Sequence, residues 1–160
     1  SSNPSFIEKL SVYPNLGILQ TFSKAWGLAS VRVGMAYAST EIISLMNKVK
    51  PPYNVSKLNQ DSAVEALNNR ATIQAQTETI IAERKTLEQA LAKLKCVRKI
   101  YPSDANFCLV EVDNAPGLYS YLIERNIITR NRHSVVNNCI RITIGTENEN
   151  QRLIDALNTY

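Results

Sequence analysis

The sequence has one histidine, His133, and three cysteines, Cys96, Cys108 and Cys139, in 160 residues. A multi-histidine metal site is therefore excluded, as is any catalytic triad that does not use His133. The cysteines stand too far apart for zinc or for a redox dithiol, so reduced, buried thiols are expected. His133 lies in a polar NRHS context and reads as a surface or loop residue. No run of about 18 apolar residues occurs, and the opening SSNPSF lacks the basic-then-apolar order of a signal peptide. Neither a membrane nor a secretory reading has support, and a soluble cytoplasmic protein is expected. The net charge of +4 is small and spread along the chain rather than interleaved with aromatics. That argues against a nucleic-acid partner and leaves the excess positive charge to small anions.

An apolar content of 44% is enough for a substantial core. GILQTF (17–22) fits a short buried strand, and VRVGMAYAS (31–39) a second, with KAWGLA as a turn-like link. Thr40 is placed to cap a helix over EIISLMNKVK, which Pro51 and Pro52 stop. Ser56 is placed to cap another that turns Leu58, Val64 and Leu67 inward. From Ala71 to Leu94 no glycine or proline interrupts, and Ile73, Ile80, Leu87, Leu91 and Leu94 recur at helical spacing, which predicts one long amphipathic rod. Beyond Lys95 the texture changes to short pieces: CVRKIY, NFCLVEV, a helix around GLYSYLIER, then IITR, CIRITIG and a last helix opened by the capping box of Thr146 and Glu149.

The fold class is thus α/β, with an N-terminal piece over 1–70, a connecting helix over 71–95 and a small α+β domain over 96–160. Two strands and two helices close a core of their own poorly, so the first piece is expected to need further strands from a longer chain.

The chemistry concentrates in TFSKAWGLASVRVG, residues 21–34. Thr21 and Ser23 offer hydroxyls, Lys24 an amine and Arg32 a planar fork suited to phosphate, all within twelve residues that fold back at Gly27. Taken alone, Lys24 reads as an ordinary solvated residue at a strand exit. In this company, a reversal can turn Lys24 and Arg32 into one cavity, where the amine meets an electrophile and the guanidinium grips a phosphate of the same ligand. A lysine partly desolvated beside another cation becomes a usable nucleophile or base. The cofactor that joins an aldehyde to a phosphate on one ring is pyridoxal 5'-phosphate.

TFSKAWGLASVRVG resembles the cofactor-lysine motif of fold-type I aminotransferases. YPNLGILQ before it and PPYNVS after it are similar to the wording of the histidinol-phosphate aminotransferase family, and ANFCLVEV, IITRNR and CIRITIGT carry the likeness through most of the chain. The resemblance implies the end of a large-domain sheet, a long connecting helix and a small domain, as the C-terminal part of a longer homodimeric enzyme. It implies that Lys24 forms the imine with pyridoxal phosphate and later shuttles a proton, and that Thr21, Ser23 and Arg32 hold the cofactor phosphate. It further implies that Arg141 and Arg130 bind the anionic ends of histidinol phosphate and of glutamate or 2-oxoglutarate. The alternative for Arg141 is an outward strand residue paired with an acid, and Arg132 competes with Arg130 for its role. Tyr53 and Asn54 receive no chemistry, and Trp26 reads as a wedge beside the cofactor loop.

An intact member of this family is more than twice as long. The acid on the pyridinium nitrogen, the aromatic stacked on the ring and a glycine-rich phosphate turn are expected before Ser1, so this chain alone is expected to be inactive. An aromatic amino-acid aminotransferase and a threonine-phosphate decarboxylase share much of the motif, and a non-catalytic association module is the reading from another class.

Overall fold

A computed structural model describes residues 4–160. Residues 1–3, part of the opening stretch and of the first predicted piece, lie outside the described residues. The chain divides into two compact units, Ser1–Ala75 and Gln76–Tyr160, with the division falling inside the long helix.

In the first unit, strands β1 (Ile18–Thr21) and β2 (Gly34–Tyr37) form a two-stranded antiparallel sheet that pairs Thr21 with Gly34. Only β1 keeps close to its predicted bounds. The second run gives up Val31 to a short 3-10 turn, Ala29–Val31, and Arg32 to a left-handed conformation, and its strand begins only at Gly34. Neither strand is buried: Leu19 is 77% exposed, because a two-stranded ribbon buries only what packs on it. Phe22 and Ala63 are the buried apolar residues of this unit.

Helix α1 (Thr40–Val49) is capped by Ser39, whose hydroxyl accepts from Ile42 N–H, and not by Thr40, which is its first helical residue. Helix α2 (Lys57–Asn68) is capped by Ser56 as predicted. It turns Ala63 inward, whereas Leu58, Val64 and Leu67 are exposed, opposite to the sequence expectation. These helices have too little neighbouring structure in the first unit to cover their apolar positions. Helix α3 (Arg70–Leu91) runs unbroken as the periodicity requires.

The second unit holds the core. Strands β3 (Val97–Tyr101), β4 (Phe107–Val112), β5 (Arg130–Asn131) and β6 (Cys139–Thr143) form an antiparallel sheet in the order β3-β4-β6-β5. Period-two alternation sends Cys108, Val110 and Val112 of β4, with Ile140 and Ile142 of β6, to one face. There they pack with Leu87 and Leu91 of α3, Leu118 and Leu122 of α4 (Ala115–Glu124), and Leu153 and Leu157 of α5 (Glu147–Asn158). Helix α5 opens with the predicted reciprocal contact between Thr146 and Glu149. Asn150, 7% exposed, is satisfied by donating to Glu83 and to Gly145 O and accepting from Gly145 N–H.

The other face of the sheet carries a different row. Tyr101 stands opposite Leu109, Leu109 opposite Arg141, and Arg141 opposite Arg130, so one line across all four strands reads aromatic, aliphatic, cation, cation.

Candidate active site

The lysine loop is built around Phe22, which is 2% exposed and anchors the reversal between the two strands. Its amide donates to Val33 O at 3.3 Å, extending the ladder by one bond, and its carbonyl accepts from Leu28 N–H at 3.0 Å. The Trp26 ring tilts against the Phe22 ring at 5.4 Å, the wedge position expected of it. Gly27 N–H donates to Lys24 O at 2.9 Å, closing a turn that needs φ of 67° at Gly27, a conformation glycine adopts freely. Gly34 serves a different need: a Cβ there would lie 3.0 Å from Gln20 O, so glycine lets the two strands close.

At this turn the hydroxyls of Thr21 and Ser23 meet. Thr21 Oγ1 donates to Ser23 Oγ at 2.8 Å and accepts from Ser23 N–H at 3.0 Å. Arg32 has φ 56° and ψ 37°, left-handed backbone that costs an ordinary residue about 1 kcal/mol, and such strain tends to gather at ligand sites. Its guanidinium donates once, to Ala29 O at 3.2 Å, leaving its other donors unused among the described residues. Lys24 and Arg32 are both exposed within this chain. Tyr53 is 95% exposed.

In the second unit, Arg130 and Arg141 are direct cross-strand partners, so both side chains leave the same face of the sheet. Neither has an ion pair among the described residues, and the acid partner that would make Arg141 an ordinary strand residue is not there. Arg141 is half-buried, its Nε is buried without a hydrogen-bond partner, and its guanidinium carbon lies 4.9 Å from the centre of the Phe107 ring. Arg132, the competitor for Arg130's role, donates its backbone N–H to Cys139 O and opens the loop that joins β5 to β6. A cavity of about 440 Å³ lies elsewhere in this unit, lined by Thr129, Ile144, Gly145 and Leu153 among others, and takes in none of the predicted residues.

The family model for aminotransferase class I and II matches residues 1–157. The chain belongs to this family. It is 48% identical over 162 residues to the histidinol-phosphate aminotransferase of Bacteroides thetaiotaomicron, an alignment covering all of this chain and 47% of that protein. The histidinol-phosphate aminotransferase of Clostridium acetobutylicum has the same fold, with a TM-score of 0.85 at 23% identity over 97% of this chain and 48% of the other. That of Sinorhizobium meliloti, solved in complex with pyridoxal-5'-phosphate, superposes with a TM-score of 0.77 at 26% identity, covering 96% of this chain and 43% of the other. The chain spans about half the length of the curated relatives it matches.

For a class I and II aminotransferase, the two polar clusters are of the right chemical kind: hydroxyls, an amine and a guanidinium on one loop, and a pair of guanidiniums on one sheet face. The donor sets fit phosphate and carboxylate. Sequence reasoning missed Phe107, which appeared only inside the ANFCLVEV string. Alternation along β4 puts it on the outward face, and the register with β6 sets it diagonally across from Arg141.

Proposed function

We propose that this chain supplies the cofactor lysine and the anion-binding arginines of a pyridoxal-phosphate-dependent aminotransferase that exchanges an amino group between histidinol phosphate and the glutamate/2-oxoglutarate pair in histidine biosynthesis. The observation that carries this reading is the direct opposition of Arg130 and Arg141, neither of them ion-paired among the described residues. Like charges facing each other across a ladder destabilise it, so the pair makes sense when an anion is its working partner. A phosphate monoester in one half-reaction and a dicarboxylate in the other both suit two forks on one face. The name carried by relatives about 48% identical over the whole chain supports histidinol phosphate over other amines.

Each residue has a task in this reading. Thr21 and Ser23 offer hydroxyl and amide donors to the cofactor phosphate, and Arg32 offers its guanidinium to the same group. Lys24 would hold the cofactor through its amine and, as a free amine, would take the proton from the substrate α-carbon. Pyridoxal phosphate, when bound, supplies the sink for the electrons left on that carbon. Arg141 and Arg130 would bind the substrate by its anionic end. The working enzyme is proposed to be a cytoplasmic homodimer of a longer chain, in keeping with the resemblance.

The test uses the parent protein that contains this sequence, incubated with pyridoxal phosphate, reduced with borohydride and mapped by peptide. The label should sit on Lys24 and be absent from Lys24→Ala, which should lose about 10²-fold or more in transamination. Histidinol phosphate should be preferred over phenylalanine, tyrosine and threonine phosphate. A label elsewhere, or a preference for an aromatic amino acid, sinks the reading.

A further inference from the structure

We infer that Phe107 is a positioning residue for the anion site, its ring face holding the Arg141 guanidinium in the orientation that meets the ligand. The inference rests on the reading of Arg141 as an anion-binding residue. Arg141 presents a problem that the fold must answer: it is always charged, its Nε is buried with no acceptor, and no carboxylate pairs with it among the described residues. Across the sheet its nearest equal is another arginine, Arg130. A long flexible side chain under those conditions would swing to water unless something held it.

Phe107 is placed to do so. The strand register sets Phe107 opposite Thr143 and Leu109 opposite Arg141, which makes Phe107 and Arg141 diagonal neighbours on one face. Aromatic and long side chains reach across such a diagonal, and the guanidinium carbon does lie 4.9 Å from the ring centre. The negative face of the ring attracts the cation, more strongly where water is excluded. It cannot accept the charge as a carboxylate would, so the guanidinium stays available to an anion.

The backbone that carries the ring is tied down. Ser103 Oγ donates to Phe107 O at 2.6 Å and accepts from Ala105 N–H at 3.1 Å, while Arg84 of α3 donates to Ala105 O at 2.9 Å. Ile144 N–H donates to Asn106 O at 2.9 Å, pinning the start of β4 to the end of β6. The strand entry that carries Phe107 is thus tied on both sides, which sets the point from which the ring reaches Arg141.

The experiment is a phosphate titration of the parent protein that contains this sequence, followed through the Arg141 Nε–H signal in ¹⁵N-edited spectra and assigned by its loss in Arg141→Lys. In the unsubstituted chain the signal should be sharp and should move on addition of inorganic phosphate or 2-oxoglutarate. Phe107→Leu keeps an apolar side chain but removes the ring face; it should broaden the signal and weaken phosphate about three- to tenfold, with the β4 and β6 amides unmoved. Phe107→Tyr keeps the face and should restore both. An Arg141 signal that ignores both anions in the unsubstituted chain overturns the anion-site reading and this inference together. A signal that responds to phosphate equally well in Phe107→Leu, with the sheet intact, overturns the positioning role alone.

Discussion

Arg130 and Arg141 face each other across the β5–β6 ladder, two guanidiniums on one face of the sheet with no carboxylate paired to either among the described residues. The arrangement works against the fold and in favour of an anion. Replacing Arg130 by Gln should therefore raise the stability of the chain at low salt, by about 0.5 kcal/mol, and salt should erase the gain by screening. Phosphate should raise Tm in the original chain and much less in the variant, because a ligand stabilises only the state it binds. Thermal scans of both proteins with and without phosphate measure the two effects. An Arg130→Gln variant that loses stability at low salt while keeping its full response to phosphate contradicts the paired-site account.

The burial pattern predicts a sharp contrast between two leucines. Leu91 is fully buried in the cluster formed by α3, α4, α5 and the sheet, and Leu91→Ala should cost about 2–5 kcal/mol through lost contacts and a residual cavity. Leu19 is 77% exposed on β1, and Leu19→Ser should change stability by no more than about 0.5 kcal/mol. Amide exchange on β4 and β6 reports the first, and Trp26 fluorescence in urea reports the second. Equal losses at both positions would mean that β1 is packed in solution.

How much of this was legible in the sequence depends on where each determinant lies along the chain. The capping box of Thr146 and Glu149 and the cap at Ser56 are local, and both could be read because each partner is within three residues of the other. The inward face of α3 follows from period, and Leu87 and Leu91 are indeed its buried residues. The exposure of Leu19, Leu58 and Val64 was not readable, because an apolar residue states a preference for burial and cannot supply the surface that buries it. Nor was the left-handed Arg32, since arginine carries no glycine-like signal for positive φ. The opposition of Arg130 and Arg141 depends on the register across a loop of irregular backbone, and register is a property of the folded sheet.

The three thiols should react in order of access. Cys108 is buried against Glu88, and burial first, then that carboxylate, pushes its thiol up to about 12. Cys139 is buried and also raised, chiefly by burial. Cys96 is only half-buried, which departs from the expectation of buried thiols throughout, although burial raises it too. The thiolate is the reactive form, so a disulfide reagent near neutral pH should label Cys96 slowly and first, with Cys108 and Cys139 reacting only on unfolding. Mass spectrometry of native and denatured samples counts the labels. Early modification of Cys108 would show that the core opens without global unfolding.

The acid side of stability should carry a contribution from the start of α5. The Glu149 carboxylate accepts from Thr146 N–H and from Thr146 Oγ1, both at 2.8 Å, and these bonds hold its carboxyl below the ordinary 4.5. A group bound more tightly in its charged form in the folded chain stabilises that chain wherever it is charged. Its contribution is complete above about pH 4.5 and is lost as pH falls through that value and on through the lower folded one. Glu149→Gln keeps an acceptor for the capping box and removes the titration. Urea midpoints followed from about pH 7 down to pH 3 should therefore fall less steeply for Glu149→Gln than for the original chain, while Thr146→Ala should lose about 1 kcal/mol at neutral pH and converge with the original in acid. Parallel curves for the original and Glu149→Gln would show that the carboxylate bonds do not persist in solution.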